Sequence, residues 1–231
     1  METLVRGPLE RLWACTQDPA QHARWDLRFT EITNLPSSPG QPQRFRYALR
    51  LPGRTVAGVG VSVGEHTRAD GSRTSALRFS SPDPWSPIRS GSGYWRYLPG
   101  PDGVRFLTGY DYEPGPQGTR LDDVLVRPFV GWLTAWSFDR LRLWVDTGLS
   151  PETSARRSMG VGAGRALAAV AAARLVPAPW ALLAVAVTVA VPVPISRPLA
   201  RRCLRRSPDR LGSTAPATLS GLVDPIGTAT A

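Results

Sequence analysis

A chain of 231 residues with 42% hydrophobic and 20% charged residues has the size and composition of one folded domain with an appendage. Its net charge of +10 is carried by arginine alone: residues 1–150 hold 18 Arg against 15 Asp and Glu, a net of +3, and residues 151–231 hold 10 against 3, a net of +7. An arginine-only excess gathered in a tail is by itself poor evidence for nucleic-acid binding, and none is expected; two cysteines (Cys15, Cys203) with two histidines (His22, His66) exclude a disulfide framework and a structural metal site.

In chain order, residues 2–6 read as a short strand broken at Gly7-Pro8, after which Leu9, Leu12 and Trp13 share a helical face. Asp18-Pro19 ends that helix and opens a second through Gln21, His22, Ala23 and Trp25. From Arg28 the period changes to two, as Phe29, Glu31 and Thr33 alternate with Thr30, Ile32 and Asn34 up to a turn rich in proline. A run of strands follows. Phe45, Tyr47, Leu49 and Leu51 alternate with Arg44, Arg46 and Arg50, a half-buried strand with one cationic face. Thr55, Ala57, Val59, Val61 and Val63 form the next row, with Gly58 and Gly60 opposite, where a bulge or a close backbone approach explains them. Residues 74–80 and the hairpin 94–98 with 104–112 complete an antiparallel meander.

The stretch 121–147 holds three of the chain's eight tryptophans. Leu121, Leu125, Phe129, Trp132, Trp136, Arg140 and Leu143 recur at three- or four-residue steps, and Leu133, Leu141, Trp144 and Val145 widen that row, which predicts a long amphipathic helix closing on the sheet through that broad face. Pro128 either kinks this helix or stands in its first turn, and Gly148 ends it. The competing bland reading is that its rings are plain core.

Residues 151–164 read as a polar, small-residue linker, residues 165–197 as an apolar helical segment, and residues 198–231 as a basic, then disordered tail. The 18 residues 178–195 carry no charge and reach ~27 Å as a helix, just enough for a bilayer core. Arginines flank both sides, and Pro177 and Pro179 interrupt, so a hairpin or an interfacial anchor fits better than a simple span. An alanine-rich helix pair packed on the domain is the soluble alternative. The N-terminus lacks the apolar core of a signal peptide, which places the globular part in the cytoplasm, with membrane contact through 165–206.

The blocks LERLWACTQDPAQHARWDLRFTEI (9–32), RTSALRFSS (73–81), SGSGYWRY (90–97) and RPFVGWLTAWSFDRLRLW (127–144) resemble a bacterial branch of the START-like superfamily, also called SRPBCC or polyketide cyclase/lipid-transport-like. The resemblance covers residues 1–150. It implies an α+β helix-grip fold, a curved antiparallel sheet wrapped around a long C-terminal helix, here followed by the apolar helical tail. It also implies a pocket for a lipid, a polyketide or another apolar small molecule. It does not choose among binder, carrier and cyclase.

The residues expected to line that pocket are Tyr47, Phe79, Tyr94, Tyr110, Trp132 and Trp136, with Arg140 on the same helical row. Ionisable candidates for chemistry are Arg140, Asp139, Glu65, His66 and Asp111, each also readable as a satisfied surface or strand-end charge. No nucleophile elbow, paired-carboxylate motif or cofactor loop appears, and GVGAG at 160–164 follows no strand and carries no lysine. The reading is a binding domain for a hydrophobic small molecule held near the membrane, without metal, cofactor or nucleic acid. The alternatives are a polyketide cyclase/aromatase-like enzyme using the same pocket, or an accessory protein without a ligand.

Overall fold

A computed structural model of the chain describes residues 1–116, 118–175, 180 and 199–202. Strand β1 (Glu2–Val5) is followed by helices α1 (Leu9–Gln17) and α2 (Pro19–Trp25). The meander then runs through β2 (Glu31–Asn34), β3 (Arg44–Leu51), β4 (Arg54–Thr67), β5 (Arg73–Ser80), β6 (Ile88–Gly100) and β7 (Gly103–Pro114). These seven strands form one sheet in the order β1-β7-β6-β5-β4-β3-β2, every pairing antiparallel. Only the first strand leaves chain order, because α1 and α2 carry the chain from one edge of the sheet to the other.

After β7 come a single turn, α3 (Thr119–Leu121), a π-helical turn at Asp122–Val126, and the long helix α4 (Arg127–Thr147). The π-helical turn sits where Pro128 would clash with the carbonyl four residues back in α-helical register. Pro128 thus stands in the first turn of α4, and Gly148, at φ 75°, caps the last.

α4 packs against the sheet on the β1, β6 and β7 side, where Phe138 meets Phe106 with ring centroids 4.6 Å apart. Val5, Leu12, Cys15, Trp25, Trp95, Tyr97 and Leu141 complete this core. The helix lies where the spacing predicts, but turned. It buries Thr134, Ala135, Ser137 and Phe138 together with Leu141 and Val145 of the widened face, whereas Leu121, Leu125, Phe129 and Trp132, expected to face the sheet, are exposed. Both sets recur at helical spacing, and the small side chains of the buried set let α4 approach rings that already fill the core.

Residues 151–164, read as a linker, form the first part of a continuous helix, α5 (Pro151–Leu175). Pro151 sets its first turn, and the Ser150 hydroxyl accepts from the Thr153 N–H at 3.2 Å. At its start, α5 is fixed by the Arg140 guanidinium, which donates to the Pro151 and Arg24 carbonyls at 3.2 and 2.9 Å, and by the Arg24–Glu152 fork. Beyond it, Arg201 exchanges backbone hydrogen bonds of 2.8 and 3.0 Å with Glu2 on the free edge of β1. No described helix is long and apolar enough to cross a membrane. Most of the charge-free stretch 178–195, and residues 203–231 of the tail expected to be basic and then disordered, lie outside the described residues.

Candidate functional site

The inner face of the sheet, on the side of α4, is built from aromatic rings laid over glycines. One row across five strands reads Phe45, Gly60, Phe79, Gly91, Tyr112, and a second pairs Leu77, Gly93 and Tyr110. A β-carbon on Gly60 would strike the Phe45 ring, one on Gly58 the Tyr47 hydroxyl, and one on Gly93 the Tyr110 ring. Close approach of rings to backbone therefore explains these glycines, while the bulge in β4 falls between Ser62 and Gly64. With their rings laid flat, these aromatics leave space above the sheet.

Phe29, Ile32, Phe45, Tyr47, Leu77, Phe79 and Tyr110 are all only half-buried, in contrast to Trp95, Tyr97 and Phe106 a few positions along the same face. The result is a half-exposed aromatic face beside α4, across β3 to β7, which forms the candidate binding cleft. Burial pushes the Tyr47 phenol up to about 12, and its hydroxyl donates to the Ser80 carbonyl at 3.2 Å.

A polar cluster stands at the inner end of the cleft. Asp26, 1% exposed, accepts from Arg28 through Nε at 2.9 Å and Nη2 at 2.6 Å, and His22 Nε2 lies 3.0 Å away. Arg28 Nη2 also donates to the Tyr110 hydroxyl at 3.2 Å, as does Trp95 Nε1 at 3.2 Å. The guanidinium lies over the Tyr110 ring at 4.9 Å and the Phe29 ring at 5.5 Å, and Phe29 in turn meets Tyr47. Burial alone would raise the Asp26 carboxyl, but the charge and hydrogen bonds of Arg28, with the hydrogen bond to His22, outweigh it and hold the group well below the usual carboxylate range. Burial pushes His22 below its ordinary value despite Asp26 beside it, so the imidazole is neutral near pH 7. Arg28 Nη1 makes no hydrogen bond among the described residues, which leaves the cleft one charged donor.

Of the residues expected to line a pocket, Tyr47, Phe79 and Tyr110 come together on the inner face. Tyr94 does not: its ring covers Gly109 on the outer face, and its neighbour Trp95 points inward instead. Trp132 is 44% exposed and packs on the half-buried Trp136 at 5.1 Å. Arg140 is buried between backbone carbonyls, and Asp139 binds Arg142 at 2.7 Å. Asp111 is on the outer face, beside a shallow groove of about 440 Å³ whose rim of Arg78, Asp111 and Glu113 has the chemistry of a solvated surface. The reading from sequence missed His22, Asp26 and Arg28, although the four-residue step from His22 to Asp26 on α2 signals a shared face. Among the described residues no group of three His, Cys, Asp or Glu side chains comes together as a metal site.

A seven-stranded antiparallel sheet gripping one long helix, with a half-exposed aromatic face beside that helix, defines a helix-grip protein of the START-like class. The chain belongs to the family described as polyketide cyclase / dehydrase and lipid transport, whose model matches residues 1–143. It is 43% identical over 163 residues to the Bacillus subtilis (strain 168) protein named uncharacterized membrane protein YndG. That match takes in 69% of this chain and 61% of YndG, so the chain spans about three fifths of that relative's length. Among solved structures it is similar to the Zhui aromatase/cyclase from Streptomyces sp. R1128, with a TM-score of 0.45 and 17% identity over 64% of this chain and 94% of that one. It is also similar to human StAR-related lipid transfer protein 5, with a TM-score of 0.44 and 18% identity over 62% and 73%.

Proposed function

We propose that the cleft binds a hydrophobic small molecule, lipid or polyketide-like, with an oxygen-bearing end set against Arg28, and that the domain does so beside a membrane. The observation that carries this reading is the row of half-buried aromatics on the concave face, laid flat by glycine and left uncovered by α4. Apolar walls with one convergent charged donor suit a guest that is oily over most of its length and polar at one end. Membership of a family described by lipid transport supports the class of guest, and a relative named as a membrane protein supports the setting. Titration with a fluorescent fatty-acid probe tests it: saturable emission that is lost on Phe79→Asp supports the cleft, and emission unchanged by that substitution removes it.

A second reading, a cyclase/aromatase-like enzyme using the same cleft, is favoured by one observation. His22 and Arg28, both largely buried, pair with the fully buried Asp26 at the end of the aromatic face, the arrangement acid–base work requires. Incubation with a linear polyketide thioester distinguishes the two, since cyclised product that disappears in His22→Gln requires catalysis. A protein that binds neither probe nor thioester is the ligand-free accessory.

A further inference from the structure

We propose that α5 is a docking helix that lies along an anionic phospholipid bilayer, presenting the stripe Arg156, Met159, Ala163, Leu167, Val170 and Arg174 to the lipid. The inference rests on the membrane half of the function proposed above, and specifies the surface and the lipid chemistry.

Beyond Ser154 no described side chain of α5 is buried, although the helix continues to Leu175. A helix that buries nothing is marginal in water, so a partner is missing from its surface. The exposed side is patterned. The six stripe residues recur at steps of three and four, and the large apolar ones are 62% (Met159), 72% (Leu167) and 59% (Val170) exposed. After Glu152 the helix has no acid and four arginines, of which Arg156, Arg157 and Arg174 form no hydrogen bond or ion pair among the described residues. An apolar stripe closed at both ends by arginine, on a helix without carboxylates, complements a plane of hydrocarbon under anionic headgroups.

The base of the helix is built for this. Arg140 and the Arg24–Glu152 fork hold its first turn to the domain, and Arg201 returns the chain to β1. α4, on which α5 packs, adds exposed Phe129 and Trp132, stacked at 6.2 Å, the residue types that settle at a membrane interface.

The test is flotation of the full chain with vesicles of phosphatidylcholine alone, or with about a third phosphatidylglycerol. Wild type is expected to float with the anionic vesicles, less so as salt rises. Arg156→Gln with Arg157→Gln is expected to weaken binding about 25-fold, roughly fivefold for each charge, and Leu167→Asp with Val170→Asp at least as much. Near-ultraviolet circular dichroism and native mass spectra of the variants should match wild type, because neither the core nor the cleft is touched. If wild type floats and the variants float equally well, the stripe is not the contact and only this inference falls. If wild type floats with neither vesicle, the membrane half of the proposed function falls with it. Self-association abolished by Leu167→Asp, without flotation, would identify a protein interface and overturn the lipid assignment.

Discussion

Asp26 grips Arg28 through both carboxylate oxygens, at 2.9 and 2.6 Å, although the two residues stand only two apart in the chain. The turn after α2 folds the guanidinium back over its own backbone, and Asp26 Oδ1 also accepts the Arg28 N–H at 3.0 Å. A buried pair of this kind contributes little net stability when whole but is expensive to halve, because the survivor is a buried, unpaired charge. Asp26→Ala is therefore expected to destabilise the fold by about 3–5 kcal/mol in urea denaturation. Arg28→Lys keeps the charge but loses the fork, and is expected to fold while releasing the guest more readily.

Acid should weaken the protein through His22. Folded, its proton affinity is depressed by burial below the ordinary value near 6.5. Below pH 6.5 the unfolded chain takes up a proton that the folded chain refuses, so stability is fully present above that value and declines as pH falls toward the folded one. Asp26, also depressed, adds a further loss below the ordinary carboxylate value of 3.8. Denaturation midpoints at pH 7.5 and pH 5.5 should differ in wild type, and the difference should shrink in His22→Gln.

The glycine floor makes a prediction of its own. Gly60→Ala places a methyl in the Phe45 ring and forces it off the sheet into the cleft. An overpacking loss of about 1–3 kcal/mol is expected, together with weaker probe binding, whereas a substitution at Gly40, with open space around it, should leave binding unchanged.

At the end of α4, Gly148 holds a left-handed conformation, φ 75°, and its N–H reaches the Trp144 carbonyl at 3.1 Å. Gly148→Ala has room for the methyl but not a relaxed backbone, and thermal melting should show a loss of about 1 kcal/mol.

Element order, the antiparallel meander and the stop at Gly148 were legible in the sequence because each rests on local periodicity or on one residue's backbone preference. The face of α4 was not. Leu125, Phe129 and Trp132 form a more hydrophobic stripe than Thr134, Ala135, Ser137 and Phe138, yet the second stripe is the buried one. Hydrophobicity points inward only when a helix has a single apolar neighbour to satisfy, and here the richer face is left outside. Tyr94 was misplaced by strand parity, where one residue exchanges inner for outer. Arg28 and Asp26 were missed because their partnership depends on a turn and on Tyr110, 82 positions away from Arg28.

The most direct test is the mass of the full chain, purified without added ligand and sprayed under native conditions. A mass above that of the polypeptide, with an extractable apolar or amphipathic molecule that Phe79→Asp no longer retains, is the expected result. Wild-type protein at its bare polypeptide mass, unable to take up a fatty-acid probe, would contradict a binding cleft between sheet and helix.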